Sequence, residues 1–125
     1  TASTVERWRA SEVTFPSRDP LGVWFAGDAA LLGTASGEVL ALPSGVPVAP
    51  ALGDVLSIDG LCGTTVATTS PGGVWQLVAA PDGGLGEWRP LPTRALEEPR
   101  VVVTDGHLLL TDENGVVVDV AVTCP

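Results

Sequence analysis

The sequence predicts an all-β protein made of three four-stranded antiparallel sheets joined in series. Three observations carry that expectation. A pattern of three short strands and two tight turns appears at Val23 to Leu42 and recurs at Val55 to Val78 and Val101 to Val122. Fifteen glycines and eleven prolines supply the punctuation that many short strands need, while a 45% hydrophobic fraction is enough for a packed core. A Glu, Trp, Arg cluster also occurs twice in the same phase, as Glu6, Trp8, Arg9 and as Glu87, Trp88, Arg89, each leading through a Pro-containing charged loop into the first strand of a unit.

Taken in order, Val5 to Val13 alternates as a strand does, with Val5, Trp8 and Ala10 as anchors. In each of the three units an apolar strand meets a glycine turn (Gly27, Gly60, Gly106). A second strand then leads to another glycine turn (Gly37, Gly73, Gly115), and a third begins on valine (Val39, Val74, Val116). Asp59-Gly60, Asp82-Gly83-Gly84 and Asn114-Gly115 are read as turns because these residues tolerate positive φ. An outer fourth strand follows the first unit at Val46 to Ala51 and the second at Gly86 to Pro92, so the units cover 23–51, 55–92 and 101–122. The third unit has no fourth strand after it. The strand at 5–13, which has no unit before it, is expected to close that last sheet and so remove an exposed edge.

The balance of charge narrows the partners. A net charge of −9 with only six basic residues, all Arg, argues against nucleic acid and anionic membranes, which need clustered basic side chains. No apolar run approaches the ~20 residues of a membrane helix. Lys, Tyr and Met are absent, a bias expected of a GC-rich, bacterial genome. Cys62 and Cys124 are the only cysteines and lack metal-type spacing, so they are expected to form a disulfide, which places the chain in an extracellular or periplasmic compartment.

The run Leu31 to Gly45, LLGTASGEVLALPSG, resembles the repeat of β-propellers of the PQQ-like, WD40-like kind: Gly33, Thr34, Gly37, Ala41, Leu42, Ser44 and Gly45 stand where that repeat has its strand-end Gly-Thr, its turn glycine and its Ala-Leu and Ser-Gly pairs. The resemblance implies blade-like sheets arranged about an axis. Nothing matches the cofactor or calcium ligands of the quinoprotein dehydrogenases, so neither cofactor nor metal is expected. Because propellers have four to eight blades, three units leave three solutions: two chains completing one six-bladed ring as a homodimer, a self-closed ring of three sheets, or a fragment that needs another polypeptide. An immunoglobulin-like sandwich competes, since Cys62, Trp75 and Cys124 imitate its spacing. Against it, Cys124 is penultimate and Val122 stands where its tyrosine corner would be.

No catalytic set is evident. His107 is the sole histidine, and a triad with Ser57 or Ser70 and Asp105 or Asp112 lacks a GxSxG elbow, so a turn or strand-edge histidine is expected. Asp112 to Gly115 lacks the ligand spacing of a calcium loop. The expected ligand-binding residues are Trp8 with Arg9 and Trp88 with Arg89, an aromatic face beside a guanidinium. Trp24 and Trp75 are assigned to the core. The function expected is a non-enzymatic interaction or scaffold module that binds a protein partner, the alternative a lectin-like module that binds a glycan; a hydrolase or oxidoreductase subunit comes third.

Overall fold

The computed structural model describes residues 20–26 and 29–124. Among them run eleven strands: β1 (Pro20–Ala26), β2 (Ala29–Thr34), β3 (Val39–Leu42), β4 (Pro47–Ala49), β5 (Val55–Leu61), β6 (Thr64–Thr69), β7 (Gly73–Val78), β8 (Glu87–Pro90), β9 (Arg100–Thr104), β10 (His107–Thr111) and β11 (Val117–Val120). They form three antiparallel meanders, with β1 to β4 in sheet 1, β5 to β8 in sheet 2 and β9 to β11 in sheet 3. Three sheets replace the two of a sandwich. The predicted fourth strands are β4 and β8. Sheet 3 has three described strands rather than four, and the first described strand, β1, belongs to sheet 1. The strand predicted at 5–13, with Trp8 and Arg9, lies outside the described residues, as does the Gly27 turn.

Two predicted turns are corrected. Asp59 and Gly60 lie within β5, and the hairpin is made instead by Cys62 and Gly63, whose φ values are 51° and 81°. Gly73 opens β7 and pairs with Thr69, so that turn falls one residue earlier. The Asp105-Gly106 turn is as expected: both residues have positive φ, as a two-residue hairpin requires.

The first strands stand side by side, β1 against β5 and β5 against β9. Sheet 2 is therefore the middle layer, and β6 is buried from Thr65 to Thr69. Successive residues of a strand point to opposite faces. Ala67 accordingly joins Trp24, Leu31, Val39, Ala49, Val55 and Ile58 in the core shared with sheet 1, while Val66 joins Val74, Leu96, Val101, Leu108 and Leu110 in the core shared with sheet 3. The threonines of β6 suit this position because each is β-branched yet carries a hydroxyl that must be satisfied when buried. Thr65 Oγ1 accepts the Trp24 indole N–H at 3.1 Å, Thr69 Oγ1 that of Trp75 at 3.0 Å, and Thr68 shares a 2.6 Å hydrogen bond with Ser57.

The two joints between sheets are built differently. Between sheets 1 and 2 the Trp24 indole is a wedge, 5% exposed, seated against Gly33 and Gly60, where a side chain has no room. Between sheets 2 and 3 the contact is partly polar. Ser57 Oγ accepts the Val101 N–H at 2.7 Å, Asp59 Oδ2 accepts that of Val103 at 3.3 Å, and Arg100 Nη1 donates to the Leu56 carbonyl at 3.0 Å. A disulfide between Cys62 and Cys124 ties the β5–β6 turn to the segment after β11. With the two cysteines 62 positions apart in sequence, closing that loop stabilises the fold by about 4 kcal/mol in the chain-entropy model.

Candidate functional site

Of the four residues singled out as ligand-binding, Trp88 and Arg89 are described. They are neighbours on β8 and so point to opposite faces. Trp88 is half-buried against the core between sheets 1 and 2, and its indole N–H donates to the Pro50 carbonyl at 2.9 Å. Arg89 is exposed and paired with Glu87 at 3.3 Å. The structure does not bring this indole and this guanidinium onto one surface.

The feature that stands out lies on sheet 1. On β1, Trp24 points into the core, and the alternate residues point away from sheet 2: Leu21 is 41% exposed, Val23 58% and Phe25 70%. The register carries the same face inward across sheet 1, since Val23 lies opposite Leu32 and Leu32 opposite Leu40, while Phe25 lies opposite Ala30 and Ala30 opposite Leu42. Every one of these residues is apolar. A strand apolar on both faces belongs to a middle layer, and contiguous exposed apolar surface marks a place of contact. Sequence reasoning missed this face, although the signal was there: Val23 and Phe25 flank Trp24, so β1 has no polar side to give to water.

The outer face of sheet 3 is mixed. It carries Arg100, Val102, His107, Leu109, Val117 and Asp119, with Val102 43% and Val117 62% exposed. His107, at the start of β10, lies 3.1 Å from the Asp119 carboxylate through Nδ1, and both side chains are exposed. Both line a cleft of 370 Å³ with Leu61, Leu108 and Val120. No described serine hydroxyl is hydrogen-bonded to His107: Ser57 bonds Thr68 and Val101, and Ser70 bonds Glu98.

Asp112 does structural work at the β10–β11 loop. Its carboxylate accepts the backbone N–H groups of Glu97, Val116 and Asn114 at 3.0 to 3.1 Å. Those bonds, that from Glu97 foremost, hold its carboxyl below the ordinary carboxylate range. Among the described residues, no group of three or more His, Cys, Asp or Glu is placed to hold a metal ion. A second cleft, 270 Å³ between sheets 1 and 2, is lined by small and apolar residues including Leu31, Val48, Leu77 and Ala80. No described helix is long and apolar enough to cross a membrane.

Comparison with protein-family models, with curated proteins and with solved structures gives no match to this chain.

Proposed function

We propose that this chain is an interaction module of propeller-like build, acting outside the cytoplasm, that docks a protein surface on the outer face of sheet 1. The observation that carries the proposal is the exposed row Leu21, Val23 and Phe25 on a face where none of the described strand residues is ionisable. The serial placement of β1, β5 and β9 supports the propeller-like build, because each sheet presents its first strand to the next. The disulfide supports the compartment, since bonds of this kind persist where the surroundings are oxidising, as in the periplasm or outside the cell. The glycan alternative has no comparable support: the Trp88 ring is half-buried and its N–H already engaged.

The test uses a hydrophobic fluorescent probe and a photo-crosslinking residue at position 23. Phe25→Glu replaces a side chain that touches little of the core, so the variant is expected to fold as the parent does, within about 0.5 kcal/mol. Specific crosslinks to a protein surface, lost together with probe binding in Phe25→Glu, are the expected result. Crosslinks that persist in the variant, or none at all from the parent chain, would sink the proposal.

A further inference from the structure

We infer that the docking surface on sheet 1 receives sheet 3 of a second copy of this chain, so that two chains close one ring of six sheets. The inference rests on the docking role proposed above and names the partner.

The argument comes from register. The first hairpin of each sheet ends in an equivalent pair: Ala26 with Ala29, Leu61 with Thr64, Thr104 with His107. Both β1 and β5 also shift register at the same place, between Pro20 and Gly22 and between Val55 and Ser57. Counting back from the hairpins makes Val23, Ile58 and Val101 equivalent, and likewise Phe25, Gly60 and Val103. In sheets 2 and 3 these positions face the preceding sheet. Ile58 is 5% exposed against sheet 1, Gly60 receives the Trp24 ring, and Val101 and Val103 pack on sheet 2. In sheet 1 the same positions are open.

The other parity behaves in the opposite sense. Trp24, Asp59 and Val102 are equivalent, and the first two reach the following sheet: Trp24 bonds Thr65, and Asp59 accepts the Val103 N–H. On the second strand Leu31 and Val66 are buried in the two cores, and their equivalent is Leu109. Val102 is exposed and Leu109 only half-buried. Along β1, sheet 1 thus presents positions that elsewhere in the molecule are covered by a preceding sheet, while Leu32 and Leu40 behind them on the same face are already buried. Sheet 3 presents a face that elsewhere covers a following sheet.

Both halves of the missing joint lie on one chain, which is what makes the occupant a second copy. Sheet 3 of each copy packs on sheet 1 of the other, and a two-fold axis through the ring centre repeats the contact. Val102 and Leu109 then meet Val23 and Phe25. Of the titratable residues on the sheet 3 face, His107 and Asp119 pair with each other and Arg100 donates to the Leu56 carbonyl, so the sheet 1 face needs no charge in reply. Each copy brings a net charge of −9. Long-range repulsion therefore opposes assembly, and added salt strengthens it by screening. A joint between oppositely charged partners would weaken instead.

The experiment is light scattering on a sizing column under non-reducing conditions, on the full chain at micromolar concentrations and rising salt, with probe binding measured in parallel. The expected mass is twice 12.7 kDa, with a larger dimer fraction at higher salt. Phe25→Glu on one half of the joint and Val102→Glu on the other each raise the dissociation constant about 30-fold or more, as removal of a central contact does. A dimer lost in Phe25→Glu but untouched by Val102→Glu is a face-to-face pairing of sheet 1 and overturns the ring, as do open assemblies that grow with concentration. A monomer whose probe binding depends on Phe25 overturns the second copy and leaves the docking face to another partner. A monomer without such binding, its face covered by its own chain, overturns both. Should either Glu variant lose its folded circular dichroism, the salt dependence of the parent chain's mass decides the matter, a decrease with salt overturning the ring.

Discussion

Gly60→Ala tests how tightly the joint between sheets 1 and 2 is locked. Gly60 does not have the positive φ that would make alanine strained, so the change on its own terms stabilises the chain by about 0.4–1 kcal/mol through the unfolded state. Packing decides the other way. The added methyl would stand 2.5 Å from Trp24 Nε1 and closer still to Cδ1, where ordinary contact is about 3.5–4.0 Å. The indole cannot retreat easily, because Gly33 and the Ile58 side chain hold its far edge and Thr65 holds its N–H at 3.1 Å. Overpacking of this kind costs about 1–3 kcal/mol, and an indole forced off Thr65 loses about 1 more. The net expectation is a loss of about 2 kcal/mol, a large share of the roughly 5–15 kcal/mol a domain of this size has. Urea unfolding followed by tryptophan emission reads it as a lower midpoint at unchanged slope. In a Trp24→Phe background, which removes Nε1, the same alanine should cost about 1 kcal/mol less, a coupling that two residues in contact can show. A loss below about 0.5 kcal/mol in the parent background would refute the wedge.

Two further outcomes follow from the hydrogen bonds. Ser57→Ala strips the Val101 N–H of its acceptor in a part-buried joint, for an expected loss of about 1–3 kcal/mol; faster exchange of the Val101 amide, but not of amides in β3, locates the damage. Asp112→Asn tests the loop carboxylate. Its lowered pKa means that its contribution to stability is present above the ordinary aspartate value of 3.8 and is lost as pH falls through the still lower folded value. The Tm gap between parent and variant should be constant at neutral pH and narrow in acid; a gap that widens there contradicts the assignment.

Much of the architecture was legible because hairpin chemistry is local. Asp105 and Gly106 both need positive φ and both sit in the turn. Asp59-Gly60 has the same composition and is strand. The difference is tertiary: Gly60 is glycine because an indole from 36 positions earlier occupies the place of its side chain, and a glycine inside a strand often marks such an approach. No local rule sees that. Trp88 and Arg89 meet a related difficulty. Trp88 beside Arg89 looks like a binding pair in one dimension, but strand alternation sends the two side chains to opposite faces, and the apolar face that does reach solvent is made of ordinary Leu, Val and Phe.

The two joints show what a joint in this molecule requires, and so bear on the open faces. Each inner strand must offer its neighbour something that fills the wedge between twisted sheets. β1 offers a large indole and meets glycine; β5 offers Ser57 and Asp59 and meets the backbone N–H groups of β9. The strategies are not interchangeable, because a bulky residue needs an absent side chain opposite, and a hydroxyl or carboxylate needs a free donor. On β9 the corresponding residue is Val102, of intermediate size and without a polar group. Such a residue suits neither a glycine seat nor a row of donors. It suits a shallow apolar surface, and Val23 with Phe25 presents one in which Leu32 and Leu40 behind them are already buried. The match in size and polarity between the two ends of one chain, rather than apolar exposure alone, is the physical reason to expect them to meet.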